Sequence, residues 1–212
     1  MWEIAGMSQN KPYIVVITGG IATGKSQATK YIRSKGYTVL DSDFIVHEGY
    51  EKGSELYRRL ICKFSSEILN CNGEIDRGKL GKIVLNNEDK LKTLNKIVHK
   101  YVVDKLMEGV EKTKDKLIFL DIPLIIEEKE ALISMGLEFH QIWLIYIPVE
   151  LQRMRLEKRA IEEGKNVEQA LKIIEKQMPI DEKRNFVDRI IDNQGSIEEL
   201  ERNIDSAMDS LI

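Results

Sequence analysis

Between a run of β-branched residues and a helical stretch, the chain reads Gly19-Gly20-Ile21-Ala22-Thr23-Gly24-Lys25-Ser26. This is the pattern G-x-x-x-x-G-K-[ST] in the strand, loop and helix setting that gives it meaning. Glycines let a backbone wrap closely around an anion, while free N–H groups and the positive end of the following helix attract it. Lys25 is then placed to reach the β and γ phosphates of a nucleotide triphosphate, and the Ser26 hydroxyl to ligate Mg²⁺. The bland alternative, a Gly-rich turn that happens to precede a helix, needs all three parts to fall into register by accident.

The rest of the chain repeats the alternation that such a loop implies. Tyr13 to Thr18 reads as a strand, and the stretch from about Gly24 to Lys35 as a helix stopped by Gly36, with Arg33 and Lys35 suited to its negative end. Tyr37 to Leu40 reads as a second strand that delivers Asp41 and Asp43. Later strands are expected at Leu117 to Leu120, closing on Asp121, at Ile142 to Ile147, closing on Pro148, and at Arg189 to Ile191. Lys90 to Glu111 is a long helix whose Leu91, Leu94, Val98, Tyr101, Val102 and Leu106 share one apolar face. After Pro148 a charged helix runs to about Glu163, breaks at Gly164-Lys165-Asn166, and is followed by a helix to about Met178. Ser196 is expected to cap a terminal helix. Strands and helices in this order predict a doubly wound α/β sheet with ligands at the strand C-termini.

Composition removes several classes of function. Lys and Arg number 32 against 35 Asp and Glu, a net charge of −3, so general phosphate neutralisation along a nucleic acid is not expected. No apolar run approaches the roughly 20 residues that span a bilayer. Cys62 and Cys71 form neither a CxxC pair nor a metal-like cluster, and the first eleven residues lack the basic start and apolar stretch of a secretory signal. The expectation is therefore a cytoplasmic protein acting on small molecules, with no nucleic-acid or membrane partner, as a monomer or weak homo-oligomer. Residues 1–9 are expected to form a flexible extension, with Met7 as an alternative start.

A phosphate loop alone does not separate a kinase from a GTPase or a switch. No N-K-x-D segment marks guanine specificity, and 212 residues suit a compact small-molecule kinase. Phosphoryl transfer needs a group that orients the acceptor hydroxyl and receives its proton, and Asp41-Ser42-Asp43 offers two candidates at a strand end. Strand-end aspartates also serve as turn formers and helix N-caps, so the residues alone leave the choice within the pair open. Arg155 and Arg159, four apart on one helix, can face one cleft and grip phosphate oxygens, or can be solvated partners of Glu157 and Glu162.

At this point the ordered segments resemble the dephospho-CoA kinase family. Thr18 to Ser26 resembles T-G-G-I-G-S-G-K-S, and Val39 to Asp43 resembles its hydrophobic-hydrophobic-D-x-D segment. Asn72 to Arg77 with Leu80 resembles G-x-I-D-R-x-x-L, Leu94 to His99 resembles L-N-x-I-x-H, and Asp121 to Ile125 with Glu127 resembles D-x-P-L-L-x-E. Gln152, Arg155 and Arg159 fit Q-x-x-R-x-x-x-R, while Gln177-Met178-Pro179 and Ile191-Asp192-Asn193 match later segments.

The resemblance implies transfer of the ATP γ-phosphate to the ribose 3′-hydroxyl of dephospho-CoA, with Mg²⁺, on a five-stranded parallel sheet like that of nucleoside-monophosphate kinases. It implies Asp43 as catalytic base beside Asp41, with Lys25 and Arg155 also catalytic. ATP would be held by Gly19, Gly20, Ile21, Ala22, Thr23, Gly24, Lys25, Ser26 and Gln27 with Arg155, Arg159 and Asn193, the last contacting adenine. The acceptor side would involve Asp41, Asp43, Arg77, His99, Asp121, Pro123 and Leu124. Asp121 also resembles the second carboxylate of phosphate-loop enzymes, which holds Mg²⁺ through water. Three parts are implied: a core (10–43, 115–148 and 188–212), a helical substrate-binding insertion (44–114) and a lid (149–187).

The rival readings are another nucleoside-monophosphate-like kinase and a non-catalytic nucleotide-binding switch. The chain departs from the family pattern at Ala22, where a glycine is usual and a positive φ would cost about 1–2 kcal/mol. It also departs at Thr23 and Gln27, at Ser65 where a glycine commonly follows Phe64, and at Lys100 in place of a proline.

Overall fold

Ile14, Val15, Val16 and Ile17 are each at most 3% exposed, so both faces of their strand are covered, as a central parallel strand requires. That strand is β1 (Tyr13–Thr18), in a computed structural model that describes residues 11–175 and 177–211. The expected extension over residues 1–9 lies outside the described residues. β1 pairs in parallel with β3 (Leu117–Asp121) on one side and with β4 (Gln141–Tyr146) on the other, and β4 pairs in parallel with β5 (Arg189–Asp192). With β2 (Thr38–Asp41) beside β3, the five-stranded parallel sheet has the order β2-β3-β1-β4-β5. The register Ile17 to Asp121 and Thr18 to Leu144 brings the C-terminal ends of the three central strands level.

The helices follow the expected alternation. They are α1 (Lys25–Ser34), α2 (Ser42–Gly49), α3 (Glu55–Phe64), α4 (Arg77–Val84), α5 (Glu88–Lys112) and α6 (Ile125–Ser134), then α7 (Val149–Glu162), α8 (Val167–Glu175), α9 (Ile180–Lys183) and α10 (Ile197–Asp209). Gly36 ends the turn after α1 with φ +90. Ser196 accepts from the Glu199 N–H while the Glu199 carboxylate accepts from the Ser196 N–H, so α10 starts in a reciprocal capping box.

Several boundaries differ from expectation, among them β2, which runs one residue later than Tyr37 to Leu40, and α5, which is longer at both ends than Lys90 to Glu111. Gly24 is not helical but takes φ +92 just ahead of α1, because the loop must turn its last amide before the helix can begin. β4 runs one residue earlier than expected, and α8 stops at Glu175 rather than near Met178. The Gln177 N–H closes a short turn on the Ile174 carbonyl, and its side chain is used elsewhere, as described below.

The chain divides into two compact units. One consists of the residues through Leu40, Thr113–Lys129 and Glu138 onward; the other consists of Asp41–Lys112 and Glu130–Leu137. In the first, Val15, Ile17, Phe119, Trp143, Ile145 and Ile191 present one face of the sheet to Ala28 and Ile32 of α1 and to Leu200, Ile204, Ala207 and Met208 of α10. The segment 149–187, expected as a lid, belongs to this same unit. In the second, Leu56, Leu60 and Phe64 of α3 pack with Ile68, Leu80, Val84 and Tyr101, and the predicted α5 face supplies Leu91, Leu94 and Val98.

Ser65, at the end of α3, has φ 64 and ψ 179. That region of backbone space belongs almost wholly to glycine and costs any other residue about 1–3 kcal/mol. Ser65→Gly is therefore expected to stabilise the helical unit by about 1 kcal/mol after the added chain entropy of glycine is subtracted. Thermal unfolding should show the midpoint rising by about 2–4 °C, and a lower midpoint would show that the Ser65 hydroxyl, which accepts from the Glu67 N–H at 3.3 Å, outweighs the backbone strain.

Candidate functional site

The loop that follows β1 is shaped by close contacts on every side. At the end of the strand the Thr18 hydroxyl donates to the Pro123 carbonyl at 2.8 Å. Inside the loop the Thr23 hydroxyl donates to the Gly20 carbonyl at 2.9 Å, closing a tight turn that leaves Thr23 wholly buried. Ala22 has φ 62, so the positive φ considered for it is real, and the loop carries that strain in place of a glycine. Gly24 admits no side chain: its φ is +92, and a Cβ there would lie 2.1 Å from the Asn193 side-chain nitrogen.

Lys25, the first residue of α1, forms an ion pair with Asp121 at the end of β3. The Asp121 side chain is 3% exposed and that of Lys25 17%, so the pair sits largely away from water. An ammonium has three donors. Lys25 can thus keep a hydrogen bond to Asp121 and offer the others to an incoming phosphate. Ser26, next along the helix, is exposed. Its hydroxyl and the Asp121 carboxylate are the oxygen donors that the loop could offer a divalent cation. Among the described residues no cluster of three or more His, Cys, Asp or Glu is placed to hold a metal ion.

The base of α7 and the loop after β5 complete this part of the site. Arg155 is half-buried and donates to the Asn193 backbone carbonyl at 2.9 Å, whereas Arg159, one turn on, is exposed. Asn193 is 7% exposed, and its side-chain amide donates to the Thr23 carbonyl at 2.8 Å. In the structure the Asn193 amide thus braces the phosphate loop from the side of β5. Further along, the Tyr146 hydroxyl donates to Asp181 at 2.7 Å, and that hydrogen bond holds its phenol above the ordinary pKa.

Of the remaining candidates, Asp41, Asp43, Arg77 and His99 belong to the helical unit, and Pro123 and Leu124 to the first unit. Asp41 caps α2, its Oδ1 accepting from the N–H groups of Asp43 at 2.9 Å and Phe44 at 3.0 Å. Asp43 stands in the first turn of α2 with its side chain exposed. The two aspartates are therefore not equivalent: one carboxylate builds the helix start and the other faces outward. Asp76 caps α4 in the same way, accepting from Gly78 and Lys79. Arg77 stacks its guanidinium 5.0 Å from the centre of the Tyr50 ring; burial raises the Tyr50 pKa, and the Arg77 charge opposes that rise. His99 is half-buried on α5, and Leu124, ahead of α6, is 46% exposed.

Two features escaped the sequence reading. Gln152 and Gln177 were only positions in a resemblance, yet both side chains bond the phosphate loop backbone. A signal for Gln152 was present, since Gln152, Leu156 and Ala160 recur at i, i+4 and i+8 and are all buried; a polar residue on an apolar stripe needs an internal partner. Lys183 is the other, 1% exposed and 2.8 Å from the Glu127 carboxylate, off the direction of an ideal hydrogen bond. Nothing local announces it, because its burial arises from chain segments far apart in sequence.

Comparison with known proteins agrees with this geometry. The sequence profile described as dephospho-CoA kinase matches residues 13–199. A dephospho-CoA kinase of Streptococcus pyogenes serotype M3 is 37% identical over 203 residues, covering 93% of this chain and 98% of that protein. One of Carboxydothermus hydrogenoformans is 38% identical over 188 residues, 87% of each chain. Among solved structures, a Thermus thermophilus protein superposes with a TM-score of 0.75 at 33% identity, covering 95% of this chain and 99% of that one. The dephospho-CoA kinase of Campylobacter jejuni superposes with a TM-score of 0.57 at 26% identity, covering 94% and 97%.

Proposed function

Since the chain belongs to the dephospho-CoA kinase family and is an ATP-dependent kinase of dephospho-CoA, we propose that its residues divide the work of transfer as follows. The loop from Gly19 to Gln27 cradles the triphosphate. Lys25 leans from Asp121 toward the β and γ phosphates and follows the transferring group with its charge. Arg155, whose guanidinium is anchored by one Nη2 bond to the Asn193 carbonyl, and Arg159 add guanidinium charge to the phosphate oxygens. Asp43 orients the ribose 3′-hydroxyl and accepts its proton; its exposed carboxylate, set against the capping role of Asp41, supports that choice within the pair. Arg77, His99, Pro123 and Leu124 are assigned to the acceptor side.

Mg²⁺ would be held by Ser26 and, through water, by Asp121, and when bound it supplies charge neutralisation on the phosphates. The core (10–43, 115–148 and 188–212), the insertion (44–114) and the lid (149–187) are proposed as the functional division, supported by the boundaries of the helical unit at residues 41 and 112. Among the described residues no helix is long and apolar enough to cross a membrane. A cytoplasmic setting, supported by the exposed free thiols Cys62 and Cys71, and a monomeric or weakly associating chain complete the proposal.

The observation that carries this reading is the buried Lys25 and Asp121 pair set beneath a fully braced phosphate loop. The test is Mg²⁺-dependent ADP release with dephospho-CoA, AMP, CMP, shikimate or no acceptor, followed by mass spectrometry of the products. One phosphate is expected on dephospho-CoA alone. Transfer to AMP or shikimate instead would leave the nucleotide site standing and overturn the acceptor assignment.

A further inference from the structure

Ile21 is gripped from both sides by two side-chain carboxamides that no assigned role accounts for. Gln152, 2% exposed in the first turns of α7, donates through Nε2 to the Ile21 carbonyl at 2.7 Å. Gln177, just beyond α8, accepts the Ile21 N–H through Oε1 at 3.1 Å. A backbone carbonyl can only accept and a backbone N–H can only donate, so the two glutamines work with opposite ends of the same functional group. They close so tightly that a Cβ on Gly20 would fall 2.5 Å from Gln152 Nε2 and 3.6 Å from Gln177 Oε1. On either side of Ile21 the loop is held by other bonds, from the Thr23 hydroxyl and N–H to the Gly20 carbonyl and from the Asn193 amide to the Thr23 carbonyl.

The positions of these residues in the chain give the contact its meaning. Gln152 lies near the start, and Gln177 beyond the two main helices, of the segment between β4 and β5, which also bears Arg155 and Arg159. Any displacement of α7 and α8 is therefore felt directly at both peptide groups of Ile21. Those groups set the direction of the amides that follow, from Ala22 to Lys25, which must point at a phosphate.

We propose that Gln152 and Gln177 are positioning residues that hold the phosphate loop in its anion-binding shape and couple it to the arginine-bearing segment. Neither is a catalytic residue, since each acts through the Ile21 backbone. The proposal rests on the nucleotide reading of the loop but not on the identity of the acceptor.

The opposite polarity of the two contacts supplies the test. Gln177→Glu keeps an oxygen acceptor for the Ile21 N–H, whereas Gln177→Met keeps the length and removes it. Gln152→Glu replaces the donor with a second acceptor facing the Ile21 carbonyl. Loss of one such bond is expected to weaken ATP binding about tenfold. Equilibrium binding of a fluorescent ATP analogue without acceptor, together with separate KM values for ATP and dephospho-CoA, reads the effect. Gln177→Met and Gln152→Glu should each raise the ATP constants about tenfold and leave the KM for dephospho-CoA within about twofold, while Gln177→Glu stays within about threefold of the parent. Equal damage from Gln177→Glu and Gln177→Met would overturn the acceptor role, and equal shifts in both substrates' KM would reduce the pair to general structure. Because Gln152 is buried, melting curves accompany its variant; the half-exposed Gln177 pair decides the matter if Gln152→Glu does not fold. Absence of transfer to dephospho-CoA by the parent, with the binding pattern intact, would refute the acceptor assignment and leave this proposal standing.

Discussion

Asp43→Asn is expected to slow phosphoryl transfer to dephospho-CoA by about 10²- to 10⁴-fold, the usual contribution of a positioned base. The amide keeps the shape and hydrogen-bonding reach of the carboxylate but cannot accept the ribose hydroxyl proton. Asp43 is exposed in the first turn of α2, and the cap of that helix comes from Asp41, so the substitution should leave folding near that of the parent. ATP affinity should also stay close to its starting value, because the loop that binds phosphate and its braces are untouched. Asp41→Asn gives the contrast. It retains an oxygen for the Asp43 and Phe44 N–H groups and should cost far less activity than Asp43→Asn. Single-turnover rates with saturating ATP decide the point. An Asp43→Asn rate within a factor of a few of the parent would remove the base assignment, and a larger loss at Asp41 would move that role to its neighbour.

The second large effect belongs to Lys25. Lys25→Met removes the charge that tracks the transferring phosphoryl group, and kcat/KM for ATP is expected to fall by about 10²- to 10³-fold, the loss found when one preorganised donor is deleted. Stability is affected as well. Lys25 is paired with Asp121, whose side chain is 3% exposed, and removing the cation beside a buried carboxylate costs about 3 kcal/mol. The variant should therefore lose both activity and several degrees of melting temperature. Adding Asp121→Asn should recover much of the melting temperature and none of the activity, since a neutral amide no longer needs the ammonium. Recovery of activity in that double variant would mean that Lys25 serves only to neutralise Asp121.

These two residues also show how unevenly the chain discloses itself. The loop from Gly19 to Ser26 was legible because its chemistry is local: a backbone that wraps an anion needs glycines, a lysine and a hydroxyl at fixed spacing. The strands and the long helix α5 were legible because periodicity reports which face is buried, and Leu91, Leu94, Val98 and Tyr101 do pack as that period implied. Choosing between Asp41 and Asp43 required more. Both lie in one D-x-D segment, and only the backbone geometry shows that the first is engaged by the α2 N-terminus. Asn193 entered only through a resemblance, and the bond of its buried amide to the Thr23 carbonyl became visible only in the folded chain.

By itself the sequence determined the sheet-and-helix alternation, the phosphate loop, the cap at Ser196 and the family to which the chain belongs. Each of these depends on residues within a few positions of one another or on the order of short motifs. Tertiary structure decided that Lys25 pairs with Asp121, that Gln152 and Gln177 close on Ile21, and that Lys183 is buried against Glu127. Those contacts join residues separated by 96, 131, 156 and 56 positions (121 − 25, 152 − 21, 177 − 21 and 183 − 127). The free energy of such a pairing depends on the dielectric and the angles that the assembled sheet imposes, and no local pattern in the chain encodes either.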